Sequence, residues 1–300
     1  MNNFDKKVLF LDVDGTIVNS KNMTIPSSTI EILKELSTRD DIDVYISTGR
    51  SYDGLFEINE IKPYITGYNL ANGTQIIVDN KEIFIDPIDN KHLLPFLRVL
   101  EDRKLSYVLL NPNKIFKRYF DVEIQKTFDE VVKSEYEIIK DINKEEYDNI
   151  IEAWVLAEHP DIDKLIIEFP TLKFYKWGTY GCDVVKQGSS KGTGIKKIVE
   201  LLGYDINKTY AIGDADNDIP MFEVVKYGIA MGQANNNAKS KVKFITDDVD
   251  KDGLFKGIRK YVCNTIEQWD NHCSIFINLV KKMCYNKSGR MKWKKYLFYY

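Results

Sequence analysis

Short apolar runs alternate with amphipathic stretches near both ends of the chain, and this alternation predicts parallel strands covered by helices. Val8–Val13 is apolar except for Asp12, and "VYIS" at residues 44–47 repeats such a run. Between them, from Pro26 to Leu36, apolar residues recur at the spacing of one helix face. Continuous apolar runs are typical of strands buried on both faces, and the strand–helix–strand order predicts a right-handed βαβ unit.

A β-hairpin is predicted after this unit. Two β-rich runs, Gln75–Val78 and Glu82–Ile85, flank the dipeptide Asp79-Asn80, which is a turn signal. Asn72-Gly73 is a second turn signal just before the hairpin. We therefore interpret Asn72 as a turn residue rather than a ligand.

The pattern changes between residues 86 and 183, where predicted helices mix with short, antiparallel-style strands. "HLLPFLRVLEDR" and "DIDKLIIEF" predict helices, and "SYVLLN", "KIFKRYF", "WVLAE" and "LKFYKWG" predict strands. This α+β mixture indicates a second domain inserted into the first. Beyond it, a helix over Ile195–Leu202 is ended by Gly203, and the apolar strands "TYAIG" and "YGIAM" resume the earlier pattern.

The whole pattern predicts an α/β fold, with a Rossmann-like, doubly wound parallel sheet and an inserted α+β domain. The core is assigned to residues 1–85 and 184–262, and the insertion to residues 86–183. Residues 263–300 are assigned to a C-terminal extension. The core is therefore expected to be discontinuous in sequence.

Composition narrows the class of protein. The chain has 300 residues, of which 44% are hydrophobic, and its net charge is −3 at pH 7. This balance gives no reason to expect nucleic acid as a partner. We find no N-terminal signal core and no apolar stretch of about 20 residues, so we expect a cytoplasmic protein without a transmembrane segment. The four cysteines form no CxxC pair, which indicates reduced structural thiols.

The extension differs in charge from the rest of the chain. After Asp270 there are seven Lys and Arg residues and no Asp or Glu. With aromatic residues such as Trp293 and Tyr299, this segment could lie on an anionic membrane surface. A solvated extension explains the same composition and is the preferred interpretation. Peripheral membrane contact stays an alternative.

Carboxylates follow two predicted strands of the core. Asp12 and Asp14 come at the end of the first strand, and Asp214 and Asp218 follow "TYAIG". Ligands of an open parallel sheet bind beyond the carboxyl ends of its strands, so neighbouring strands would bring these side chains together. Several carboxylates cannot all stay ionised without a counter-charge, and a hard divalent cation such as Mg²⁺ supplies one.

Each of these acidic motifs has a simpler explanation when it is taken alone. A single DxD can be a turn or a solvated strand end, and "DADND" at residues 214–218 resembles the start of a calcium loop. An EF-hand loop is excluded, because its sixth position would be Ile219 instead of Gly and its twelfth Val225 instead of Glu. Asp216 is interpreted as a turn residue.

Four motifs in order carry a family resemblance. They are "DVDGT" at residues 12–16, Thr48 in "ISTGR", Lys191 in "GSSKGTG" and "GDADND" at residues 213–218. Together they resemble the haloacid dehalogenase (HAD) superfamily of aspartate-nucleophile phosphatases, and most closely its Cof-type branch, subclass IIB. The stretches "ANGTQI", "AMGQANNNAK" and "DKDGL" are similar to that branch, and the resemblance covers about residues 6–262.

The resemblance implies a Mg²⁺-dependent phosphatase that hydrolyses small phosphorylated metabolites, such as sugar phosphates, through an aspartyl-phosphate intermediate. Asp12 would be the nucleophile and a metal ligand. Asp14 would be the general acid and base, and its backbone carbonyl would bind the metal. Asp214 would be a direct metal ligand, and Asp218 would orient the groups around the metal.

The same resemblance implies that Thr48, Lys191 and Asn217 bind the phosphoryl group, with Gly49 and Arg50 as candidate substrate contacts. The inserted domain would be a C2-type cap that closes over the site and contacts the leaving group. Its candidate contacts are basic, aromatic and histidine side chains that each also have a structural explanation: Lys114, Lys117, Arg118, Trp154, His159, Lys176 and Trp177.

Two other functions stay open on the sequence. A phosphomutase of the same subclass shares the aspartyl-phosphate chemistry but keeps the phosphoryl group on its product. A non-catalytic phospho-ligand binder on this fold would be expected to lack a motif residue, and Asp12, Asp14, Lys191 and Asp214 are all present. Analysis of the product separates the first alternative from a phosphatase.

Overall fold

The computed structural model describes residues 2–120, 124–125, 128, 136–140, 147–178 and 180–263. Apart from Cys263, the predicted extension lies outside the described residues. The strands are β1 (Lys7–Leu11), β2 (Ile42–Ser47), β3 (Gly67–Leu70), β4 (Gln75–Val78), β5 (Lys81–Ile85), β6 (Ser106–Asn111), β7 (Lys114–Arg118), β8 (Tyr136–Ile138), β9 (Glu152–Glu158), β10 (Leu172–Lys176), β11 (Tyr180–Lys186), β12 (Thr209–Gly213), β13 (Tyr227–Ala230) and β14 (Phe244–Ile245).

The first four of the α-helices in the described ranges lie on the predicted amphipathic stretches, and the three short ones after them were not predicted. In chain order, these helices are α1 (Ser27–Leu36), α2 (Asn90–Asp102), α3 (His159–Glu168), α4 (Lys191–Leu202), α5 (Ile219–Val224), α6 (Asn236–Ser240) and α7 (Gly253–Gly257). A π-helical segment, Ile258–Cys263, follows α7 and belongs to a separate compact unit. None of the helices in the described ranges is long and apolar enough to cross a bilayer.

The core sheet contains, in the described part of the chain, eight strands in the order β14-β13-β12-β1-β2-β3-β4-β5. Neighbouring strands from β14 to β3 run parallel, and β4 and β5 add an antiparallel edge. In the register, Leu11 of β1 lies opposite Ile212 of β12 and Ile46 of β2. The carboxyl ends of three strands therefore meet at one edge, as the predicted doubly wound fold requires.

Burial explains why the strand sequences are continuously apolar. Val8 and Phe10 of β1 pack with Ile195 and Ile198 of α4 on one side of the core sheet. The alternate residue Leu9 points to the other face and is equally buried. The first strand, the helix after it and the hairpin of β4 and β5 confirm the predictions from the sequence.

The inserted sheet has, within the described ranges, the order β10-β11-β9-β6-β7-β8 and is antiparallel except between β7 and β8. Helices α2 and α3 cover one face, where Phe96 and Leu165 pack with Val155 of β9. Because side chains alternate along a strand, Trp154 of β9 and Asp183 of β11 lie on the other face. That face meets the core sheet across a shared cleft.

Candidate active site

Three neighbouring strands of the core sheet deliver polar residues to one edge. Asp12 follows β1, Thr48 follows β2 and Asp214 follows β12. All three line a cleft of about 1430 Å³, which residues of both sheets enclose. The convergence predicted from the order of the strands is therefore present in the fold.

Lys191 joins this edge as the first residue of α4. The helix starts ahead of its predicted beginning because Ser190 caps it. Ser190 Oγ accepts from the Thr193 backbone N–H at 3.1 Å, and Thr193 Oγ1 accepts from the Ser190 N–H at 2.9 Å. The cap directs a fully buried side chain into the acids, where Nζ donates to Asp12 Oδ1 and Asp218 Oδ1, both at 2.6 Å.

Three carboxylates surround the lysine. Oxygen atoms of Asp12, Asp214 and Asp218 lie within 4.8 Å of one another. Asp218 is the most constrained, because its Oδ2 also accepts from the backbone N–H groups of Asp214, at 2.8 Å, and of Ala215, at 3.0 Å. Asp218 therefore holds the loop, and Asp12 and Asp214 are the better direct ligands for a cation.

Gly15 lets Asp214 approach the loop that follows β1. Its φ is +84°, which favours glycine, and a Cβ at this position would lie 2.1 Å from Asp214 Oδ2, so any side chain here would displace that carboxylate. Gln233 fixes the same loop, since its Nε2 donates to the Gly15 carbonyl at 2.5 Å and its Oε1 accepts from the Val249 N–H at 3.0 Å. We did not single out Gln233 from the sequence; its only signal is its place in "AMGQANNNAK".

The electrostatics of the cluster favour a cation. Burial, with the charge of Asp218 as the next cause, raises the pKa of Asp12 well above its ordinary value. The same two causes raise the pKa of Asp214 to about 6. Burial alone would lower the pKa of Lys191, but the carboxylates of Asp12 and Asp218 outweigh it and raise that pKa. One ammonium faces three carboxylates, so a divalent cation that prefers oxygen ligands fits the excess negative charge.

The carboxylate of Asp14 lies outside this cluster. Its side chain is 47% exposed and accepts two hydrogen bonds from Arg50, one from Nε at 2.9 Å and one from Nη2 at 2.6 Å. Arg50 Nη1 also donates to Glu57 Oε2 at 2.7 Å and to the Gly54 carbonyl at 2.8 Å. Asp14 and Arg50 both line the cleft, so a carboxylate and a guanidinium group lie side by side within it.

The remaining predicted site residues lie in the same place. Thr48 is buried, and its Oγ1 accepts from the Arg50 backbone N–H at 3.1 Å. Gly49 and Asn217 line the cleft from two different loops. The structure therefore brings the predicted site residues together, with Lys191 and Asp218 buried beneath the cleft and the others along its wall.

The seven candidate contacts in the inserted domain separate into two groups. Trp154, Lys176 and Trp177 line the cleft, and Lys176 also forms an ion pair with Asp163. Lys114 and Arg118 instead form ion pairs, with Glu137 and Glu101 respectively. Lys117 and His159 are also absent from the described cleft lining. Lys117 is buried beside the rings of Phe120, Phe128 and Tyr136. His159 is the first residue of α3.

Two further polar residues at the cleft were not predicted as contacts. Asn72 has the left-handed backbone of a turn residue, with φ of 53°, but it is also fully buried. Its Nδ2 donates to Asp183 Oδ2 at 3.1 Å, which joins the core to the inserted sheet. Asp183 was missed, although it is the one acidic residue within the apolar stretch "GCDVV". A lone acid in a buried strand was the available signal.

Comparisons with known proteins agree with this geometry. A family model described as haloacid dehalogenase-like hydrolase matches residues 9–258. The candidate phosphatase YkrA of Bacillus subtilis strain 168 is 29% identical over 259 residues, which cover 85% of this chain and 98% of YkrA. The 5-amino-6-(5-phospho-D-ribitylamino)uracil phosphatase YcsE of that strain is 26% identical over 264 residues, covering 86% and 96%. The solved structure of the HAD subclass IIB sugar phosphatase BT4131 gives a TM-score of 0.76 at 25% identity, covering 85% of this chain and 98% of that chain.

Proposed function

Because the chain belongs to the haloacid dehalogenase-like hydrolases, in the Cof-type branch of subclass IIB, and is a phosphatase, we propose that it hydrolyses small phosphorylated metabolites with Mg²⁺ through an aspartyl-phosphate intermediate. The observation that carries this proposal is the buried ammonium of Lys191, held at 2.6 Å from both Asp12 and Asp218. A fixed cation beside a strand-end carboxylate is what attack on a phosphate ester needs, since it reduces the repulsion between two anions.

In the proposed reaction, Asp12 attacks phosphorus and the bond from phosphorus to the ester oxygen breaks, leaving its electron pair on that oxygen. Asp14 gives the leaving alcohol its proton. In the second half, Asp14 takes a proton from water as the water oxygen attacks phosphorus. The bond from phosphorus to Asp12 then breaks, which releases inorganic phosphate and restores the carboxylate.

The other site residues hold the phosphoryl group in this proposal. Thr48, Lys191 and Asn217 donate hydrogen bonds to its oxygens. Asp14 has to leave its ion pair with Arg50 before it reaches the ester oxygen, because both of its oxygens accept from that guanidinium. Phosphoryl oxygens can replace the carboxylate on Arg50, which makes Arg50 and its neighbour Gly49 substrate contacts.

The residues that would hold Mg²⁺ are Asp12, Asp214 and the backbone carbonyl of Asp14, with Asp218 fixing their loop. When bound, Mg²⁺ neutralises charge on the phosphoryl oxygens and on the crowded carboxylates. Magnesium suits this donor set because it prefers carboxylate and carbonyl oxygens and shares its ligand shell with substrate phosphates.

The test is phosphate release from a panel of monoesters, with and without Mg²⁺. The panel follows the names of the relatives and includes sugar phosphates and 5-amino-6-(5-phospho-D-ribitylamino)uracil. We expect release that requires Mg²⁺ and that falls by about 10³-fold or more in Asp12→Asn, since the nucleophile is lost. Asp216→Asn, an exposed residue of the same cleft, is the matched control and should keep its activity.

Two results would contradict this proposal. Release that persists in Asp12→Asn would exclude the aspartyl-phosphate, and release without any divalent cation would exclude the role of Mg²⁺. An isomerised phosphate ester in place of inorganic phosphate would identify a phosphomutase.

A further inference from the structure

A second pair of acids, the half-buried Asp183 at the cleft and the buried Glu152 behind it, lies on the inserted sheet, and the reaction proposed above does not use it. Asp183 of β11 lies directly opposite Trp154 of β9, and Glu152 precedes Trp154 by two positions on the same face. Glu152 is fully buried, whereas Asp183 lines the cleft. One carboxyl is therefore available to a ligand and the other lies behind it.

The hydrogen bonds that hold this pair come from neutral groups. Trp177 Nε1 donates to Asp183 Oδ1 at 2.8 Å, and Asn72 Nδ2 donates to Asp183 Oδ2 at 3.1 Å. Trp154 Nε1 donates to Glu152 Oε2 at 3.3 Å. Among the residues that the structure describes, no Lys, Arg or His forms an ion pair with either carboxyl. A structural salt bridge therefore does not explain why two acids are buried here.

Two polar atoms of the cluster are left without partners. In the described part of the chain, Glu152 Oε1 and Asn72 Oδ1 are buried and accept no hydrogen bond. Asn72 is 0% exposed, and its amide group lies against the cleft residue Gly49. Buried polar groups are normally paired, so these two unpaired oxygens behind the cleft residue Asp183 show that the cluster is not satisfied by the described protein groups alone, and Asp183 is its member that a ligand can reach.

The cluster is close to the phosphoryl end of the cleft. A Cβ on Gly49 would lie 3.1 Å from Asp183 Oδ2, 3.1 Å from Asn72 Nδ2 and 3.3 Å from Asn72 Oδ1. Gly49 is bonded to Thr48, which is proposed to bind the phosphoryl group. A group that reaches Asp183 is thus only a few bonds from phosphorus.

The protonation of the pair favours a neutral ligand. Burial raises the pKa of Asp183 to about 7, and burial together with the charge of Asp183 raises the pKa of Glu152 well above its ordinary value. The other titratable groups that face Asp183 are Lys191, Tyr175 and Cys182. Lys191 donates its hydrogen bonds to Asp12 and Asp218. A pair that keeps a proton near neutral pH can both donate and accept, which suits a hydroxyl group better than an ammonium group.

We propose that Asp183, with Glu152 behind it, binds a hydroxyl group of the alcohol part of the phosphate ester, on a carbon close to the ester oxygen. This inference rests on the proposed phosphatase function and deepens it by naming the residues that select the leaving group. Trp154 and Trp177 flank Asp183 and supply apolar surface for the C–H groups of a hydroxylated chain or ring. Asp183 is then a specificity-determining residue.

The experiment compares pairs of esters that differ by one hydroxyl group. 1,2-Propanediol 1-phosphate and propyl phosphate form one pair, and the best hydroxylated ester of the panel and its analogue without the hydroxyl nearest the ester form another. We expect the wild type to prefer the hydroxylated member by about 10-fold or more in kcat/KM. In Asp183→Ala, kcat/KM for that member should fall about 10- to 100-fold, mainly through KM, while the other member is unchanged.

Controls separate recognition from folding. Asp161→Asn removes an exposed acid of α3 in the same inserted domain and should leave the ratio of the two esters as in the wild type. Asp183→Asn keeps the shape of the side chain and an acceptor for Trp177, so it stays informative if the alanine variant does not fold. Asp183→Asn should lower the ratio of kcat/KM for the hydroxylated ester to kcat/KM for the other ester several-fold. Thermal melts of all variants establish that they are folded.

Three results would overturn the inference. They are an unchanged ratio in a folded Asp183 variant, an equal loss on both esters, and a wild-type preference for esters without the hydroxyl. Failure of the proposed function looks different, because the wild type would then release phosphate from no member of the panel.

Discussion

Two clusters of buried and half-buried acids lie on opposite sides of one cleft, and they balance their charge in different ways. In the core, the ammonium of Lys191 lies 2.6 Å from Asp12 and from Asp218. In the cap domain, Glu152 and Asp183 accept hydrogen bonds from neutral indole and amide groups. The first cluster has a fixed cation, whereas in the second the raised pKa values of Glu152 and Asp183 favour protonated carboxyls.

This difference separates the two tasks of a phosphatase. A fixed cation tolerates the additional negative charge of a phosphoryl group, so the core cluster suits the reacting end of a substrate. A carboxyl pair neutralised by protons repels an anion as soon as it ionises, so it suits an uncharged part of the same molecule. One cleft can thus bind a strongly polar end and a neutral end with residues of the same type.

The largest effect is expected from removing the cation. Lys191→Met leaves Asp12 and Asp218 buried without their partner, so the free energy of unfolding should fall by about 3–5 kcal/mol. Phosphate release should fall by about 10²-fold or more. Urea denaturation and phosphate assays measure the two losses.

The control for this prediction is Lys196→Met, which changes an exposed lysine of the same helix and should have little effect. A Lys191→Met variant as stable as the control would mean that the core acids are neutralised by protons too. The contrast between the clusters would then disappear.

An intermediate effect is expected from the cap pair, and it depends on pH. The pKa of Glu152 is raised in the folded state, so between about pH 4.5 and that raised value the folded chain holds a proton that the unfolded chain has lost. Stability therefore falls as pH rises through this window. Glu152→Gln cannot ionise, so it should match the wild type near pH 5 and be more stable than the wild type at pH 8.

Urea unfolding at the two pH values measures this effect, and Glu31→Gln, on the exposed face of α1, is the control that should not change it. A Glu152→Gln variant that is less stable than the wild type at pH 8 would show that the carboxylate has a cationic partner.

The smallest effect is expected from the indole donors. Trp177→Phe removes the hydrogen bond to Asp183 at 2.8 Å, whereas Trp154→Phe removes a longer one, at 3.3 Å, to Glu152. Both variants lose the same volume, so the difference between them reports the two hydrogen bonds together with the different packing of the two rings. In urea unfolding, Trp177→Phe should be less stable than Trp154→Phe by about 1 kcal/mol. Equal stabilities would indicate that Asp183 does not need this donor.

The core cluster could be predicted because its residues follow apolar strands. Asp12, Thr48 and Asp214 stand directly after such strands, and parallel order alone brings strand ends together. Lys191 was predicted only through the family motif. Apolar periodicity starts the helix at Ile195, whereas Ser190, as the helix N-cap, starts it at Lys191. The first four helices and the core strands followed from apolar periodicity, and the hairpin followed from its turn dipeptide Asp79-Asn80.

The cap pair could not be predicted by the same reasoning. Glu152 and Asp183 meet because β9 and β11 pair in one register, and a shift by one residue would turn either side chain to the opposite face. The hydrogen bond from Asn72 to Asp183 depends in addition on how the inserted sheet lies over the core. Such contacts between distant segments leave no periodic pattern in the sequence.

The position of β1 in the core sheet also sets an order of events during synthesis. Val8 of β1 pairs with Thr209 of β12, and Asp12 meets Lys191, which follows it by 179 residues. The inserted sheet contains contacts that are closer together in sequence, so it can fold while the ribosome is still making the second half of the core. Until β12 emerges, one edge of β1 is open and Asp214 does not yet exist. The ribosome therefore finishes the inserted domain before it makes Lys191 and Asp214, which the active site needs.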